Sequence, residues 1–134
     1  MHLMNVIAMF VWTGAGALLL FVLMWIDSLF TKYKDLAEIK NGNTAVATRF
    51  ILKMFAQGYI LSQSIAKSND LWQALLVSVI SFVILFILEK LVEWFLKKTA
   101  GLHLEEETHL GKVSAALFSG SLHVVGALIL ASCF

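Results

Sequence analysis

The stretch from Leu71 to Leu88 reads LWQALLVSVISFVILFIL and contains no charged residue. An α-helix needs about 20 mainly apolar residues to cross the ~30 Å hydrocarbon core of a bilayer. In lipid every backbone polar group must be hydrogen-bonded within the protein, so only helices and closed β-barrels span it. The stretch lacks the apolar–polar alternation of a barrel strand. It therefore predicts a membrane-spanning α-helix.

Three further apolar runs of similar length occur in the chain, at about Val6–Ile26, Ala45–Ala66 and Leu110–Leu130. Hydrophobic residues make up 60% of the 134 residues and charged residues 14%, whereas soluble domains average roughly 45–50% and 25%. The first run exceeds the ~7–15 residues of a signal-peptide core and follows no basic segment, so we expect it to be retained as a span. The sequence predicts an all-α, integral membrane four-helix bundle, a single transmembrane domain over residues 1–134.

Composition disfavours several classes of function. A formal net charge of +1 argues against a nucleic-acid partner, which requires a strongly basic face. Cys133 is the sole cysteine, so an intrachain disulfide is excluded. No nucleophile–base pair, glycine-rich phosphate loop or nucleotide motif occurs, so we expect neither an enzyme nor a cofactor. The acidic and histidine residues of the third connection (His103, Glu106 or Glu107, and His109) match no zinc spacing and are best interpreted as a solvated face.

The connections between the runs differ in positive charge. Six lysines lie in the first and third connections: Lys32, Lys34, Lys40, Lys90, Lys97 and Lys98. The second connection holds only Lys67, beside Asp70. By the positive-inside rule, the first and third connections are cytoplasmic and both termini lie outside the cytoplasm. Apolar residues at three- and four-residue spacing predict that the first and third helices continue past the membrane, over Leu29–Lys40 and from Glu89 towards a stop at Gly101.

An internal repeat is predicted by shifting the sequence by 66 residues, the difference between Asp27 and Glu93. The same shift pairs Gln57 with His123. Each half is then a helical hairpin, at about residues 1–66 and 67–134. Because each half has an even number of spans, the two hairpins run parallel across the membrane. We expect Asp27 and Glu93, at the cytoplasmic helix ends, to pair with nearby lysines.

Polar residues recur on one face of the second and fourth predicted spans. Span two carries Arg49, Lys53 and Gln57, and span four carries Lys112, Ser119 and His123. Steps of four and seven residues place each set on one helical face. A lysine near the bilayer centre costs about 2.5–3.5 kcal/mol on insertion scales. These six residues are therefore predicted to line a polar path or a subunit interface.

Two simpler interpretations of the same residues stay open. Arg49 and Lys53 could extend their side chains to the headgroups, as long basic side chains do near helix ends. The polar residues of span four could serve only as hydrogen-bonding groups between helices.

The segment from Glu38 to Ala47, EIKNGNTAVA, resembles the signature of a bacterial family of membrane proteins known as domain of unknown function 350. Its pattern is a Gly-Asn pair, here Gly42–Asn43, followed by alternating alanines; Asn43 would also cap the second span. The resemblance implies four spans built as two repeats in the bacterial inner membrane, and implies no established activity. One departure is that the second repeat has Thr108–His109 where the family often repeats the Gly-Asn pair. Another is that Arg49 and Lys53 occupy positions that are usually apolar or small.

Two functions from different classes fit these observations. The first is a homo-oligomer that conducts or senses a small ion or solute along a polar path containing Lys53, Gln57 and His123. The second is a non-conducting anchor or scaffold that recruits a cytosolic partner protein through Leu29–Lys40 and the charged connection Glu89–Glu107. The sequence names neither the ion nor the partner.

Overall fold

A computed structural model describes residues 3–134, and over that range the regular structure is entirely helical. The six helices are α1 (Leu3–Leu29), α2 (Asp35–Lys40), α3 (Thr44–Lys67), α4 (Leu71–Thr99), α5 (Leu104–His109) and α6 (Val113–Ala131). Four are long and correspond to the predicted spans. The short helices α2 and α5 lie in the first and third connections.

Side-chain caps fix where two of the long helices begin. The Asn43 side chain accepts a hydrogen bond from Val46 N at 3.3 Å, which confirms the predicted N-cap of α3. Asp70 caps α4 in the same way, accepting from Gln73 N at 2.7 Å. Only residues 68–70 separate α3 from α4, so the two helices form a tight antiparallel hairpin.

The first connection differs from the continuous helical extension predicted from its spacing. Helix α1 ends at Leu29, and a turn precedes α2. The Thr31 hydroxyl lies 2.9 Å from the Ser28 carbonyl oxygen and 2.7 Å from that of Tyr33, and its one hydrogen is donated between these two acceptors, which stabilises the turn at the helix end. The helical continuation of α4 beyond Glu89 is confirmed, since the helix runs unbroken to Thr99 before Gly101 adopts a φ of 64°.

The two short helices are built alike, down to their backbone hydrogen bonds. Asn43 N donates to Glu38 O in the first connection, and Lys112 N donates to Glu107 O in the third. The preceding glycines have left-handed φ angles of 85° and 91°, a conformation that glycine adopts readily. These correspondences fall at an offset of 69 residues (112 − 43) rather than the 66 used in the sequence comparison. In this register Gly111–Lys112, and not Thr108–His109, corresponds to Gly42–Asn43.

Helices α3 and α6 form the centre of the structure and pack on each other more extensively than any other pair. Small residues make the close approach possible. A Cβ added at Gly120 of α6 would collide with the Leu52 side chain of α3. Helix α4 covers one side of this pair, and Ala56, Ile60, Leu85 and Ala127 form the apolar core. Helix α1 lies at the edge and is mostly exposed.

Three helices are long and apolar enough to cross a membrane: α1, α4 and α6. Helix α3 is as long as the others but is not among them. Its charged residues Arg49 and Lys53 lower its hydropathy, and both are buried inside the protein.

Candidate functional site: a buried charge network

Lys53 of α3 lies between two carboxylates from different helices. Its Nζ is 2.7 and 2.6 Å from the two carboxylate oxygens of Asp27 near the end of α1. The same Nζ is 3.2 Å from Glu89 Oε2, ten residues before the end of α4. The two contacts with Asp27 are charge-assisted hydrogen bonds, the strong class, and the contact with Glu89 is an ion pair. Lys53 thus joins α1, α3 and α4.

Arg49, one helical turn before Lys53, binds the other oxygen of the same glutamate. Its Nη2 donates to Glu89 Oε1 at 3.0 Å. Its Nε donates to the Ser119 hydroxyl of α6 at 3.3 Å. The two oxygens of Glu89 are therefore shared between two cations of α3.

His123 of α6 completes the group. Its Nδ1 lies 3.3 Å from Glu89 Oε2, and its Nε2 lies 3.4 Å from Gln57 Nε2. In this orientation of the Gln57 amide, its nitrogen can only donate, and a neutral imidazole with Nε2 as acceptor and the hydrogen on Nδ1 matches it. The Gln57 carbonyl oxygen, Oε1, is buried without a hydrogen-bond partner among residues 3–134.

We call these seven side chains the charge network: Asp27, Arg49, Lys53, Gln57, Glu89, Ser119 and His123. None is more than 8% exposed. Two cations and two carboxylates give a net charge of zero (2 − 2) while His123 is neutral, and +1 when it is protonated. Buried charges require opposite charges nearby, and each of the four lies within 3.2 Å of an opposite one. Glu89 Oε2 and His123 Nδ1 have no hydrogen bond of good geometry within residues 3–134.

The network lies at one level of the bundle. Lys53 is nine residues after the start of α3 and His123 ten residues after the start of α6, whereas Glu89 is ten residues before the end of α4. At 1.5 Å per residue these positions are all about 14–15 Å from the helix ends on the side of the first and third connections. In α4 the uncharged segment ends at Leu88, so the network lies where the apolar part of that helix meets its charged extension.

Five of the six predicted site residues come together in the network: Arg49, Lys53, Gln57, Ser119 and His123. Lys112 does not. It precedes α6 as its N-cap residue, so it does not share the helical face of Ser119. Its Nζ lies 3.7 Å from Glu107, and its side chain is 59% exposed.

The acidic residues were predicted less completely than the basic ones. Asp27 pairs with a lysine, and Glu93 lies 3.5 Å from Lys90 on its own helix. Glu89, which contacts three other members of the network, was not predicted as a site residue. A signal was present, because Ser78, Ser81, Leu85 and Glu89 are all buried and follow three- and four-residue steps along α4.

A second group of buried polar residues lies in and around the two short helices. Asp35 of α2 is 1% exposed, and neither of its carboxylate oxygens has a hydrogen bond of good geometry within residues 3–134. Burial raises the pKa of Asp35, and the Ser28 hydroxyl and the charge of Arg49 offset only part of the rise. Burial also raises the pKa of Tyr33 to about 12. Both side chains are therefore poorly solvated.

The Gly42–Asn43 pair joins the two connections. Asn43 Nδ2 donates to the His109 carbonyl at 2.9 Å and to Glu38 Oε2 at 3.3 Å. His109 Nε2 lies 2.7 Å from Glu38 Oε1, and the His109 ring stacks on Tyr33 with centroids 4.9 Å apart. Hydrogen bonds from Asn43 and His109 lower the pKa of Glu38. Asn43 thus caps α3 and also ties α2 to α5.

Within residues 3–134 no group of three or more His, Cys, Asp or Glu side chains is arranged to hold a metal ion. The site is a network of charges and hydrogen bonds.

The family model named Domain of Unknown Function (DUF350) matches residues 1–134, the whole chain. The chain belongs to this family. No curated protein and no solved structure matches it. DUF350 membership agrees with the resemblance of the Glu38–Ala47 segment but carries no activity, so function has to be argued from the charge network.

Proposed function

We propose that this DUF350 protein senses or conducts protons at the charge network. The observation that carries the proposal is the Gln57–His123 pair. Neutral His123 accepts from the Gln57 amide nitrogen through Nε2. Protonated His123 would need an acceptor at Nε2, and a half-turn of the Gln57 amide presents its unpartnered Oε1. Both protonation states can therefore be satisfied by the same two side chains.

The electrostatics of the network favour a response to that proton. Protonation of His123 from α6 places a third cation around Glu89 of α4, which already contacts Arg49 and Lys53 of α3. The network then contains three cations and two carboxylates, the second carboxylate being Asp27 of α1. The added positive charge repels Lys53 and weakens its ion pair with Glu89. The contacts among α1, α3 and α4 depend on that ion pair. Histidine is the side chain that most often serves as a pH-dependent switch in proteins.

Two measurements separate sensing from conduction. NMR of protein labelled with ¹⁵N-histidine in nanodiscs reports whether His123 changes protonation between pH 5 and pH 8, with His123→Ala for assignment. Proton flux into liposomes under a potassium-diffusion potential reports conduction, with Glu89→Gln as the variant and exposed Lys67→Met as its matched control. A titrating His123 without flux supports sensing, and flux reduced by Glu89→Gln supports conduction. A His123 that keeps one protonation state, together with flux equal to protein-free liposomes, refutes both.

The cellular setting is part of the same proposal. Three apolar helices fit a membrane protein, and we propose that α3 crosses with them because its charges are neutralised inside the fold. The matched connections support two repeats in the 69-residue register. The family resemblance supports the bacterial inner membrane as the location, and the lysine distribution supports an orientation with both termini outside the cytoplasm.

We propose a homo-oligomer that assembles through α1. The polar stripe of α3 is used within one chain and does not require a second copy. Helix α1 offers a surface for a second copy of the chain, because Gly14 has open space around it and Leu18 is 66% exposed. Small residues on an exposed membrane helix favour close helix–helix contact. Light scattering of the detergent-purified protein should give a multiple of 14.9 kDa, and Gly14→Leu should reduce it to a monomer. A monomeric wild-type mass refutes the assembly.

The second candidate function is a non-conducting anchor for a cytosolic partner. Leu36 of α2 and Phe95 of α4 are 67% and 57% exposed on the side of the lysine-rich connections. A photo-crosslinker at Lys34 or Lys98 in cells should then capture one defined protein, whereas the same probe at Lys67 should not. Equal labelling at all three positions would argue against an anchor.

A further inference from the structure

A cavity of about 240 Å³ opens on the side of the first and third connections, where the end of α4 faces residues 102–106. Its charged lining consists of three lysines and three glutamates: Lys32, Lys90, Lys97, Glu93, Glu105 and Glu106. Trp94 forms part of the same wall. The cavity lies beyond the charge network towards the aqueous side.

The two signs of charge are held close together but are not locked into tight pairs. Lys32 Nζ is 3.8 Å from Glu106, and Lys90 Nζ is 3.5 Å from Glu93. Glu105 instead accepts from the backbone N of Lys32 at 2.6 Å. Within residues 3–134, Lys97 has no carboxylate inside ion-pair distance. The cavity therefore offers both cations and carboxylates to a ligand.

The position of the cavity points to a lipid. Exposed apolar residues follow four- and three-residue steps along α4 and end in the cavity wall: Ile80, Ile84, Ile87, Leu91 and Trp94. This stripe spans 14 residues (94 − 80), about 21 Å at 1.5 Å per residue. One leaflet of the hydrocarbon core is only about 15 Å thick. An acyl chain can therefore lie on the stripe while its headgroup occupies the cavity.

The size of the cavity supports the same class of ligand. Sites for whole small molecules are typically about 300–1,000 Å³. At about 240 Å³ the cavity is smaller, as expected if only a headgroup enters and the rest of the molecule stays in the bilayer. Trp94 is 60% exposed, and tryptophan is enriched at headgroup level.

We propose that this cavity binds the headgroup of a zwitterionic membrane phospholipid that has a primary ammonium, as in phosphatidylethanolamine. The phosphate lies against Lys97 and Lys90, and the ammonium donates to Glu106 and Glu105. Three lysines and three glutamates balance a ligand with one charge of each sign better than a purely anionic one. A primary ammonium has three donors, whereas the quaternary ammonium of phosphatidylcholine has none.

Native mass spectrometry of the detergent-solubilised full chain tests this with phosphatidylethanolamine, phosphatidylcholine and phosphatidylglycerol of identical acyl chains. We expect phosphatidylethanolamine to bind about tenfold more tightly than phosphatidylcholine, the effect of one charge-assisted hydrogen bond. Lys97→Ala should weaken the binding of all three lipids. Glu106→Ala should abolish only the preference for phosphatidylethanolamine.

Two neighbours in the sequence serve as matched controls because they do not line the cavity. Lys98→Ala and Glu107→Ala should leave all three affinities unchanged. Equal binding of the three lipids by the wild-type protein overturns the proposal. So does tightest binding of phosphatidylglycerol that is insensitive to Glu106→Ala, because that result describes an anionic-lipid site. Lipid affinity is read without any proton flux, so this test and that of the proposed function can fail separately.

Discussion

The contact between Lys53 and Asp27 can be tested by removing its charges one at a time and then together. Lys53→Met leaves Asp27, which is 3% exposed, without its cation. It also leaves Glu89 with Arg49 alone. Removing one partner of a buried ion pair costs about 3–5 kcal/mol because the other charge stays buried and unpaired. Asp27→Asn should cost a similar amount.

The double variant Lys53→Met/Asp27→Asn should cost little more than either single change. It restores net neutrality, because one cation, Arg49, and one carboxylate, Glu89, remain 3.0 Å apart. The expected coupling energy is therefore about 3 kcal/mol, at the upper end of what neighbouring residues show. An exposed pair would couple by less than about 1 kcal/mol.

Unfolding in mixed micelles, followed by far-UV circular dichroism as the fraction of denaturing detergent rises, supplies the four free energies. Lys67→Met at the end of α3 is the matched control and should cost less than about 0.5 kcal/mol. Additive costs for the two single changes would refute the argument. So would a Lys53→Met variant as stable as the wild type, because Lys53 would then have been solvated by headgroups.

Three further predictions concern the connections and the helix packing. Asn43→Ala should lower the free energy of unfolding by about 1–2 kcal/mol through loss of the α3 cap. His109 should also become more accessible to diethyl pyrocarbonate. Unchanged stability would contradict the dual role of Asn43. Burial raises the pKa of Asp35 above its usual 3.8, so the folded state favours the neutral carboxyl. Asp35 therefore does not lower the stability of the fold below about pH 3.8, and it lowers it increasingly as the pH rises through the raised pKa. Asp35→Asn should therefore melt at a higher temperature than the wild type at pH 7 and at the same temperature under acid conditions, and a lower melting temperature at pH 7 would contradict this. Gly120→Val should cost about 1–3 kcal/mol by overpacking against Leu52, whereas Gly58→Val, which meets open space, should cost less.

The sequence was sufficient for the features that depend on local spacing. Apolar runs located the long helices, and Asn43 was confirmed as the cap of α3. The four-residue steps of Arg49, Lys53 and Gln57 put them on the buried face of α3. Each of these follows from the 3.6-residue helical period, which does not require knowledge of neighbours.

The features that depend on contacts between helices could not be predicted in the same way. Glu89 is one of two acidic residues in α4. Its spacing from Ser81 and Leu85 puts it on one helical face, but its role depends on which helix packs against that face. Lys112 has the right spacing from Ser119, but α6 begins one residue after it. The matching glycine turns at 42 and 111 differ by 69 residues, three more than the predicted shift of 66 (69 − 66). Apolar helices align almost equally well after a shift of about one turn, so the spacing of apolar residues alone does not distinguish the two offsets.

The central claim is that Lys53 is an ammonium bound to a carboxylate inside the membrane bundle, and solid-state NMR can observe that contact directly. In liposomes containing protein with ¹⁵N-lysine and ¹³C-aspartate, we predict one Nζ–carboxylate correlation, from the 2.6 and 2.7 Å contacts to Asp27. It should vanish in Asp27→Asn and Lys53→Met and persist in Lys67→Met. The absence of this correlation in the wild type, or its survival in Asp27→Asn, would contradict the account.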